Sequence, residues 1–398
     1  MESNPSSLRP EGATDLLPRL ALCGNVFPGD TMGSVFSALD GPAQEFATRL
    51  RSQGWQQSLG FGLYFSDFAV SELARNPSKQ KRLAKCLANS GFKPWTANAF
   101  PFGGFHSGPV KEAVFMPDWR DSRRPSFTCR VAETLAHLLM PGDRASVSSC
   151  PLGYGPDARR SPKSLEFLRR AQTGLLRLEE RTGVRITLGL EPEPDGAFER
   201  VGDLAEWLQA NLYPETPIDE RRVGVCWDLC HSAVVGEAPE DALAALSKHG
   251  IPLSKVQISS AIYLEGGVSP EQVTRLKALC DDPWLHQVRG TLKDGRPFAY
   301  SDLPRLLDNP AVLEVIDQLR VHCHVPVHQS DFGDELYGTP WKESVQLALK
   351  AGCLDFELET YTLSALPSGY LAQDGMMGTM TTEMEACADA LWPQDSSH

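Results

Sequence analysis

The chain lacks the long apolar run that a transmembrane helix requires. Its longest apolar stretches span roughly 5–8 residues, whereas a membrane-spanning helix needs about 20. Residues 1–18 are polar and rich in proline, without the apolar core of a signal peptide. We therefore predict a cytoplasmic protein without a membrane span, with flexible tails over 1–18 and 393–398 and a single domain over 19–392.

Basic residues are scarce relative to acidic ones. The sequence holds 38 Lys and Arg against 51 Asp and Glu, for a net charge of −13. Nucleic-acid binding needs surfaces rich in Lys and Arg that replace counterions. The composition therefore argues against a nucleic-acid partner. It leaves a small-molecule substrate open, because the charge of a pocket can differ from that of the whole protein.

Several cofactor and metal motifs are also missing. No glycine-rich dinucleotide fingerprint follows the first strand candidate and no Walker loop occurs, which disfavours a nucleotide-binding doubly wound sheet. The ten cysteines form no Cys-x-x-Cys pair and are irregularly spaced. This spacing favours reduced, buried thiols over a disulfide framework or a structural zinc site.

Strand-like runs alternate with amphipathic, helix-like stretches over residues 20–362. Gly183 directly follows one of these stretches, where it suits a helix C-cap. Strands separated by helices of this length predict right-handed β-α-β units and a parallel sheet. We therefore predict an α/β fold, a (β/α)8 TIM barrel. The early strands are predicted at 20–27, 58–65, 94–100 and 145–151, and helices at 35–51, 71–89, 127–139 and 164–181.

The number of strand candidates is nine, one more than a simple eightfold barrel holds. The surplus lies between Lys255 and Pro326, where 284–288 adds a further short apolar run and 289–300 is typical of a hairpin. A loop rich in glycine and aromatic residues, 101–121, follows the third strand; it is either a pocket wall or an ordered surface loop. We predict insertions after strand 3 and between strands 7 and 8.

Five apolar runs in the second half of the chain end in residues that bind metal ions. Because the C-terminal ends of barrel strands meet at one mouth, such residues converge although they are far apart in sequence. Carboxylate oxygens and imidazole nitrogens are common ligands of divalent ions. The terminal residues are Glu191 and Glu193, Asp228 and His231, Gln257, His322 and His324, and Glu359.

Some of these residues also fit an ordinary structural role. Glu191 precedes a proline and suits an exposed loop acid, Asp228 suits an N-cap of the next helix, and His231 suits a buried structural histidine. Glu193 and Glu357 are interpreted as outer or solvent-facing groups.

The pair of histidines near the end of the chain needs a separate argument. His322 and His324 alternate, so in a strand they face opposite sides and at most one faces the barrel interior. We prefer His324, because Pro326 follows where the strand ends.

The chain resembles the xylose isomerase-like TIM-barrel superfamily of sugar isomerases and epimerases at Leu190-Glu191-Pro192, Asp228-Leu-Cys-His231 and Glu359. More narrowly, several segments resemble the bacterial metabolite traffic protein EboE family. These segments are Cys23–Asn25, Phe100–His106, Pro117–Asp121, Pro151–Tyr154, Leu190–Pro194, Leu285–Val288, His322–Pro326 and Glu359–Tyr361.

The resemblance implies a divalent metal ion, Mn²⁺, Mg²⁺ or similar, at the barrel mouth. By position, Glu191, Asp228 and Glu359 match the acidic ligands, and His231 matches the histidine three residues after the second ligand. Chemically, Glu191 and Glu359 suit a pair that takes and returns a proton through a metal-stabilised enediolate, while His231 orients a substrate hydroxyl or a ligand.

One ligand position departs from the superfamily pattern. Where a His or Asp is usual, the next strand offers Gln257, a neutral and weaker ligand. His286 or His324 is the alternative source of the missing imidazole. By position on their loops, His106, Arg120 and His286 are candidate substrate-binding residues.

The leading interpretation is a metal-dependent isomerase or epimerase of a sugar, cyclitol or phosphorylated sugar, in a secondary-metabolite or metabolite-export pathway. One alternative is a barrel that binds a metabolite without converting it, which the EboE resemblance and Gln257 both allow. Another is a metal-dependent phosphoesterase, as in the apurinic-endonuclease branch of the superfamily. The sequence leaves the substrate, the ion and the oligomeric state open.

Overall fold

Eight parallel strands close into a barrel. The computed structural model describes residues 17–105, 111–280 and 284–393, so the predicted tails lie almost entirely outside the described residues. Seven barrel strands follow one another around the barrel, and the last strand of the chain closes it between β7 and β1. The barrel strands are β1 (Arg19–Cys23), β2 (Leu59–Tyr64), β3 (Phe92–Asn98), β4 (Arg144–Ser149), β5 (Arg185–Leu190), β6 (Val223–Asp228), β7 (Leu253–Ile258) and β13 (Asp355–Leu358).

A second sheet lies in the link between the last two barrel strands. It is five-stranded, in the order β10-β9-β11-β8-β12, and its paired strands are antiparallel. We call residues 259–341 the insertion. The insertion predicted between barrel strands 7 and 8 is therefore confirmed. Its strands are β8 (Ile262–Glu265), β9 (Val288–Leu292), β10 (Pro297–Tyr300), β11 (Ile316–Val321) and β12 (Tyr337–Gly338).

The surplus strand candidates belong to this insertion. The hairpin predicted over 289–300 is confirmed as β9 and β10, which turn at Gly295 with φ +82°. The run of Val321–Pro326, which holds His322 and His324, begins at the last residue of β11 and continues as irregular backbone, so counting it among the barrel strands was wrong. Apolar content alone does not separate the two sheets, because both bury such strands.

Helices cover the outside of the barrel. No helix among the described residues is both long and apolar enough to cross a membrane. The α-helices are α1 (Met32–Asp40), α2 (Pro42–Ser52), α3 (Asp67–Ala74), α4 (Pro77–Ser90), α5 (Arg123–Ala136), α6 (Asp157–Arg160), α7 (Pro162–Thr182), α8 (Val201–Trp207), α9 (Leu229–Val235), α10 (Pro239–His249), α11 (Pro270–Ala278), α12 (Leu303–Leu307), α13 (Pro310–Leu313), α14 (Lys342–Lys350) and α15 (Gly375–Leu391).

Short helical turns complete the fold. A π-helical turn, Leu208–Leu212, continues α8. The 3₁₀ turns are Gly24–Val26, Lys111–Phe115, Ile218–Glu220, Tyr361–Ser364 and Ser368–Tyr370.

Proline and glycine set the helix boundaries. The stretches 35–51 and 71–89 were each predicted as one helix, but each is two, because Pro42 and Pro77 begin α2 and α4. Proline lacks the N–H that would continue the preceding helix, whereas its fixed φ suits a first helical position. The predicted C-cap at Gly183 is confirmed by a left-handed φ of +72° at the end of α7.

Candidate metal centre

Three acidic side chains meet at the mouth of the barrel. Glu191 directly follows β5, Asp228 ends β6, and Glu359 directly follows β13. One oxygen of each lies within 4.8 Å of the others, and the residues are only 4%, 1% and 3% exposed. We call these residues the carboxylate set. The shared direction of parallel strands brings them together, since each strand delivers its C-terminal end to one rim.

Two asparagines support Glu359. Nδ2 of Asn25, just after β1, donates to Oε1 of Glu359 at 2.7 Å, and Nδ2 of Asn98, the last residue of β3, donates to the same oxygen at 3.4 Å. Sequence reasoning assigned no role to either asparagine, although Asn25 lies within a segment that resembles the EboE family. Both amides hold the Glu359 carboxylate in the orientation seen at the mouth.

Asp228 has two functions at once. Its Oδ1 accepts hydrogen bonds from the His231 backbone N–H at 2.9 Å and from the Ser259 hydroxyl at 2.8 Å. The first of these bonds is an N-cap of α9, which matches the structural alternative for this residue. Its other oxygen, Oδ2, remains directed away from both bonds, so capping does not exclude metal binding.

Each member of the carboxylate set keeps one oxygen without a hydrogen-bond donor. Within the described part of the chain, Oε2 of Glu191, Oδ2 of Asp228 and Oε2 of Glu359 are buried and unpartnered. Buried charged oxygens without partners are costly unless a cation or donor satisfies them. An oxygen-rich set of this kind fits a hard divalent ion such as Mg²⁺ or Mn²⁺. The residues present therefore fit the divalent ion that the resemblance to the superfamily implies.

Repulsion between the carboxylates adds to the effect of burial and raises the pKa of both Glu191 and Glu359. Burial raises the pKa of Glu191 well above its ordinary value, and the nearby charges of Glu359 and Asp228 raise it further. The pKa of Glu359 is raised in the same way, first by burial and then by Asp228 and Glu357. A positive charge placed among the three carboxylates would relieve this repulsion.

A buried ion pair lies beneath the carboxylate set. Nζ of Lys255 in β7 contacts Oε2 of Glu357 in β13, and both side chains are almost completely buried. Gly62 of β2 makes room for this pair, since a Cβ there would lie 1.7 Å from the Glu357 carboxylate. Of the two interpretations of Glu357, an outer or a solvent-facing group, its burial excludes the solvent-facing one. The positive charge of Lys255 lowers the pKa of both Glu191 and Glu359, against the effect of burial.

Three buried histidines lie beside the carboxylate set. His231 comes from α9, and His322 and His324 follow β11 of the insertion. Their ring centroids are 4.6 Å apart for His231 and His322, 5.5 Å for His231 and His324, and 5.4 Å for His322 and His324. We call these residues the histidine set.

The prediction that only one of the two insertion histidines faces the interior was wrong. Both His322 and His324 line the cavity at the mouth. Strand alternation does not apply, because β11 ends at Val321 and the following backbone is irregular. Burial lowers the pKa of His322 well below its ordinary value and that of His231 to about 4.

A cavity opens above both sets of residues. The loop after β3, the insertion and the segment after β13 form its walls. The rings of Phe105, Trp284 and Tyr361 pack with centroids 5.2–5.5 Å apart and make one wall apolar. The lining residues are Asn25, Asn98, Phe100, Pro101, Phe105, Lys111, Val114, Glu191, Glu193, His231, Trp284, Leu285, His322, His324, Glu359 and Tyr361.

Glu193 also belongs to this cavity. It is 7% exposed, which excludes the solvent-facing alternative and leaves that of an outer group. Burial raises its pKa to about 8. One of its oxygens lies within 4.8 Å of a ring nitrogen of His231 and of His322.

The side chain of Gln257 is engaged by a neighbouring thiol. It is buried in β7 beside Asp228 in register, and its Oε1 accepts a hydrogen bond from the Cys226 thiol at 2.8 Å. Among the described residues, the cavity lining does not include it. His324, in contrast, lines the cavity, and its Nε2 has no hydrogen-bond partner in the described ranges.

Two of the predicted substrate-binding residues are not among the described residues that line the cavity, and the third lies outside the described residues. Arg120 forms an ion pair with Asp118 at 2.6 Å, and His286 is buried with its backbone N–H donating to Asp302 at 3.1 Å. Neither is among the described residues that line the cavity. His106 lies outside the described residues.

No protein-family model matches the chain, and no curated protein matches it. Solved structures do match. A putative sugar phosphate isomerase/epimerase from Anabaena variabilis has a TM-score of 0.50 and 12% identity, covering 95% of this chain and 99% of its own. An IolI protein with a binding zinc atom has a TM-score of 0.48 and 13% identity, covering 94% and 98%. An L-ribulose 3-epimerase has a TM-score of 0.44 and 12% identity, covering 94% and 95%.

At these identities the comparisons show the fold alone. The chain has a TIM-barrel fold, as the Anabaena variabilis structure has. Because this barrel hosts many reactions, its function has to be argued from the site.

Proposed function

We propose that the chain is a metal-dependent isomerase or epimerase of a sugar, cyclitol or phosphorylated sugar. The carboxylate set carries the proposal, because three strands place three buried acids at one point and each keeps an unpartnered oxygen. Glu191, Asp228 and Glu359 would hold the divalent ion. His324 suits a further ligand better than Gln257, since its Nε2 is free whereas the Gln257 oxygen already accepts the Cys226 thiol.

Glu191 and Glu359 are the proposed acid and base. They come from different strands, β5 and β13, and both line the cavity, so a substrate carbon between them has an acid on either side. A bound divalent ion supplies Lewis-acid stabilisation of the negative charge that develops on the substrate oxygens.

The other residues of the cavity would position the substrate and exclude water. The aromatic wall of Phe105, Trp284 and Tyr361 suits the apolar C–H face of a sugar or cyclitol ring. Lys111 lies on the lining and brings a positive charge, with its Nζ 2.6 Å from Asp302. His231, in the same cavity, is placed to orient a substrate hydroxyl.

The proposed activity is tested by exchange of hydrogen with the solvent. Chelator-treated protein, reloaded with Mn²⁺ or Mg²⁺, is incubated in D₂O with a panel of sugars, cyclitols and sugar phosphates. Metal-dependent deuterium incorporation and isomer formation are expected, with loss of both in Glu191→Gln and Glu359→Gln. Glu180→Gln, on the exposed face of α7, is the matched control. Absence of metal binding and of exchange with every compound would contradict the proposal.

A second candidate is a metabolite traffic protein of the EboE type, which binds its ligand without converting it. The segments that resemble this family contribute residues to one cavity, among them Asn25, Phe105, Leu285 and His322. Thermal stabilisation by a ligand that mass spectrometry shows to be unchanged would favour this candidate. Hydrolysis of a phosphate ester, which the three histidines suggest, is tested in the same ligand panel.

A further inference from the structure

One buried arginine binds both ends of the loop after β3, residues 99–117. Arg124 is the second residue of α5 and is 0% exposed. At the end of the loop, its Nε donates to the backbone oxygen of Pro117 at 2.7 Å, and its Nη2 to that of Phe115 at 3.4 Å. At the start, its Nη1 donates to the backbone oxygens of Ala99 and Phe100 at 2.7 and 2.8 Å. A single guanidinium therefore joins the two ends of the loop.

The buried charge of Arg124 is compensated by the loop and by aromatic rings. Burying a charged group is unfavourable unless its hydrogen bonds are satisfied. Besides the four backbone oxygens, the rings of Phe102 and Phe127 lie beneath the guanidinium, with centroids 5.8 and 5.9 Å from its Cζ. An arginine cation is attracted to the faces of such rings. The loop ends and the guanidinium thus stabilise each other.

The shape of a guanidinium suits four backbone oxygens. Its five N–H donors lie in one plane in a fixed fork, and four of the five are used here. A lysine ammonium has three donors on a single atom at the end of a flexible stem. It could therefore not reach all four oxygens at once.

The loop that Arg124 holds forms part of the cavity wall. Its lining residues are Phe100, Pro101, Phe105, Lys111 and Val114. Two of them contact the insertion: the rings of Phe105 and Trp284 have centroids 5.5 Å apart, and Nζ of Lys111 lies 2.6 Å from Asp302. Among the described residues, Arg124 is not part of the lining. It can influence a bound ligand only through the loop.

The start of the loop also connects Arg124 to Glu359. The Phe100 N–H donates to Oδ1 of Asn98 at 2.8 Å, and this bond fixes which end of the Asn98 amide faces Glu359. Nδ2 of Asn98 then donates to Oε1 of Glu359 at 3.4 Å. Asn25 holds the same oxygen at the shorter distance of 2.7 Å. A displaced loop would therefore weaken the support of Glu359 without removing it.

From these contacts we propose that Arg124 is a positioning residue of the cavity. By binding both ends of the loop after β3, it holds Phe105 and Lys111 against the insertion in the arrangement that receives the ligand. The proposal rests on the proposed function only where turnover is measured, because the positioning follows from the contacts of Arg124 itself.

The first test removes the guanidinium and then supplies it again. Arg124→Ala, made in the full-length protein, leaves a space lined by four backbone oxygens that a free guanidinium ion matches and methylammonium does not. Amide hydrogen exchange, measured by mass spectrometry, should become faster in 99–105 and 111–117 and stay unchanged in β5, β6 and β7. Guanidinium, at concentrations that leave the unmodified protein folded, should restore slow exchange, whereas methylammonium should not.

The neighbouring arginine provides a matched control. Arg123 precedes Arg124 in α5, but its side chain is 66% exposed and pairs with Asp121. Arg123→Ala should leave the amide exchange of the loop unchanged. If Arg124→Ala does not fold by circular dichroism, Arg124→Lys replaces it, with faster exchange expected in the same two segments.

The second test is kinetic and uses a substrate found in the ligand panel. For Arg124→Lys we expect kcat/KM to fall by about 10–100-fold, because a displaced wall misplaces the substrate. Most of the loss should be an increase in KM, since Glu191 and Glu359 follow their own barrel strands. Guanidinium should lower the KM of Arg124→Ala again.

Three results would overturn the proposal. They are unchanged amide exchange at both loop ends in the Arg124 variant, equally faster exchange throughout the chain, and a loss confined to kcat. The second would show that Arg124 serves overall stability alone. Because amide exchange needs no substrate, absence of turnover with every compound would contradict the proposed function and leave the role of Arg124 intact.

Discussion

The barrel and the insertion contribute different chemistry to one cavity. Barrel strands end in the carboxylate set, whose oxygens are held by regular backbone and by neighbours such as Asn25. The insertion adds imidazoles from an irregular segment after β11, whose orientation depends on single bonds such as that of His322 to Gln287. A rigid scaffold thus supplies the hard ligands, while an added segment supplies the nitrogen ligands.

The two regions are connected at several points. Nδ1 of His324 in the insertion donates to the backbone oxygen of Glu359, just after β13, at 2.7 Å. Glu383 of α15 accepts hydrogen bonds from the Val327 N–H at 2.9 Å and the Thr360 hydroxyl at 2.7 Å, and so joins the insertion to the end of β13. These bonds explain how an inserted segment keeps histidines in register with the barrel mouth.

Removing the charge of a carboxylate at the end of a barrel strand should have the largest effect on activity. Glu359→Gln replaces a carboxylate that serves both as proposed ligand and as proposed base, so we expect a loss in kcat/KM of about 10²–10⁴-fold. Steady-state kinetics on the substrate found by exchange measures it. Glu180→Gln should differ little from the unmodified protein, and an active Glu359→Gln would place the base elsewhere.

The ion pair inside the barrel should dominate stability. Lys255→Met leaves Glu357 charged and buried without its partner, so the free energy of unfolding should fall by about 3–5 kcal/mol in urea titrations. The double variant Lys255→Met/Glu357→Leu removes both charges and should recover most of that loss. Equal stabilities for the single and double variants would show that the pair is not a unit.

Glu383, which joins the barrel to the insertion, should make the free energy of unfolding depend on pH. Burial raises the pKa of Glu383 to about 7 from an ordinary 4.5, so the folded chain binds more protons between these values. The contribution of this group to the free energy of unfolding is therefore full below pH 4.5 and is lost as the pH rises to 7, by up to about 3 kcal/mol. Glu383→Gln should flatten this part of the pH–stability profile, and an unchanged profile would exclude Glu383 as its source.

The smallest effect should come from a donor that orients a proposed ligand. Asn25→Leu removes the amide that donates to Glu359. Mn²⁺ binding should weaken by about 10–100-fold, since outer-shell partners orient metal ligands. Titration calorimetry measures this change, with Glu180→Gln as the control. An unchanged Mn²⁺ affinity in Asn25→Leu would show that this bond does not orient Glu359.

Sequence reasoning predicted the barrel, the location of the insertion and the hairpin, because periodicity and turn residues carry that information locally. It also selected Glu191, Asp228 and Glu359, which the structure brings together. It missed the orientation of His322, because this depends on where β11 ends. Asn25 and Lys255 were missed as well, since their roles arise only when distant strands become neighbours.

The most direct test of the account is a divalent-metal titration of the chelator-treated protein, compared with Asp228→Asn. Asp228 belongs both to the carboxylate set and to the group with His231 and His324. We predict that the unmodified protein binds Mn²⁺ at the mouth, and that Asp228→Asn weakens this binding. Failure of the unmodified, folded protein to bind Mn²⁺ would contradict the account.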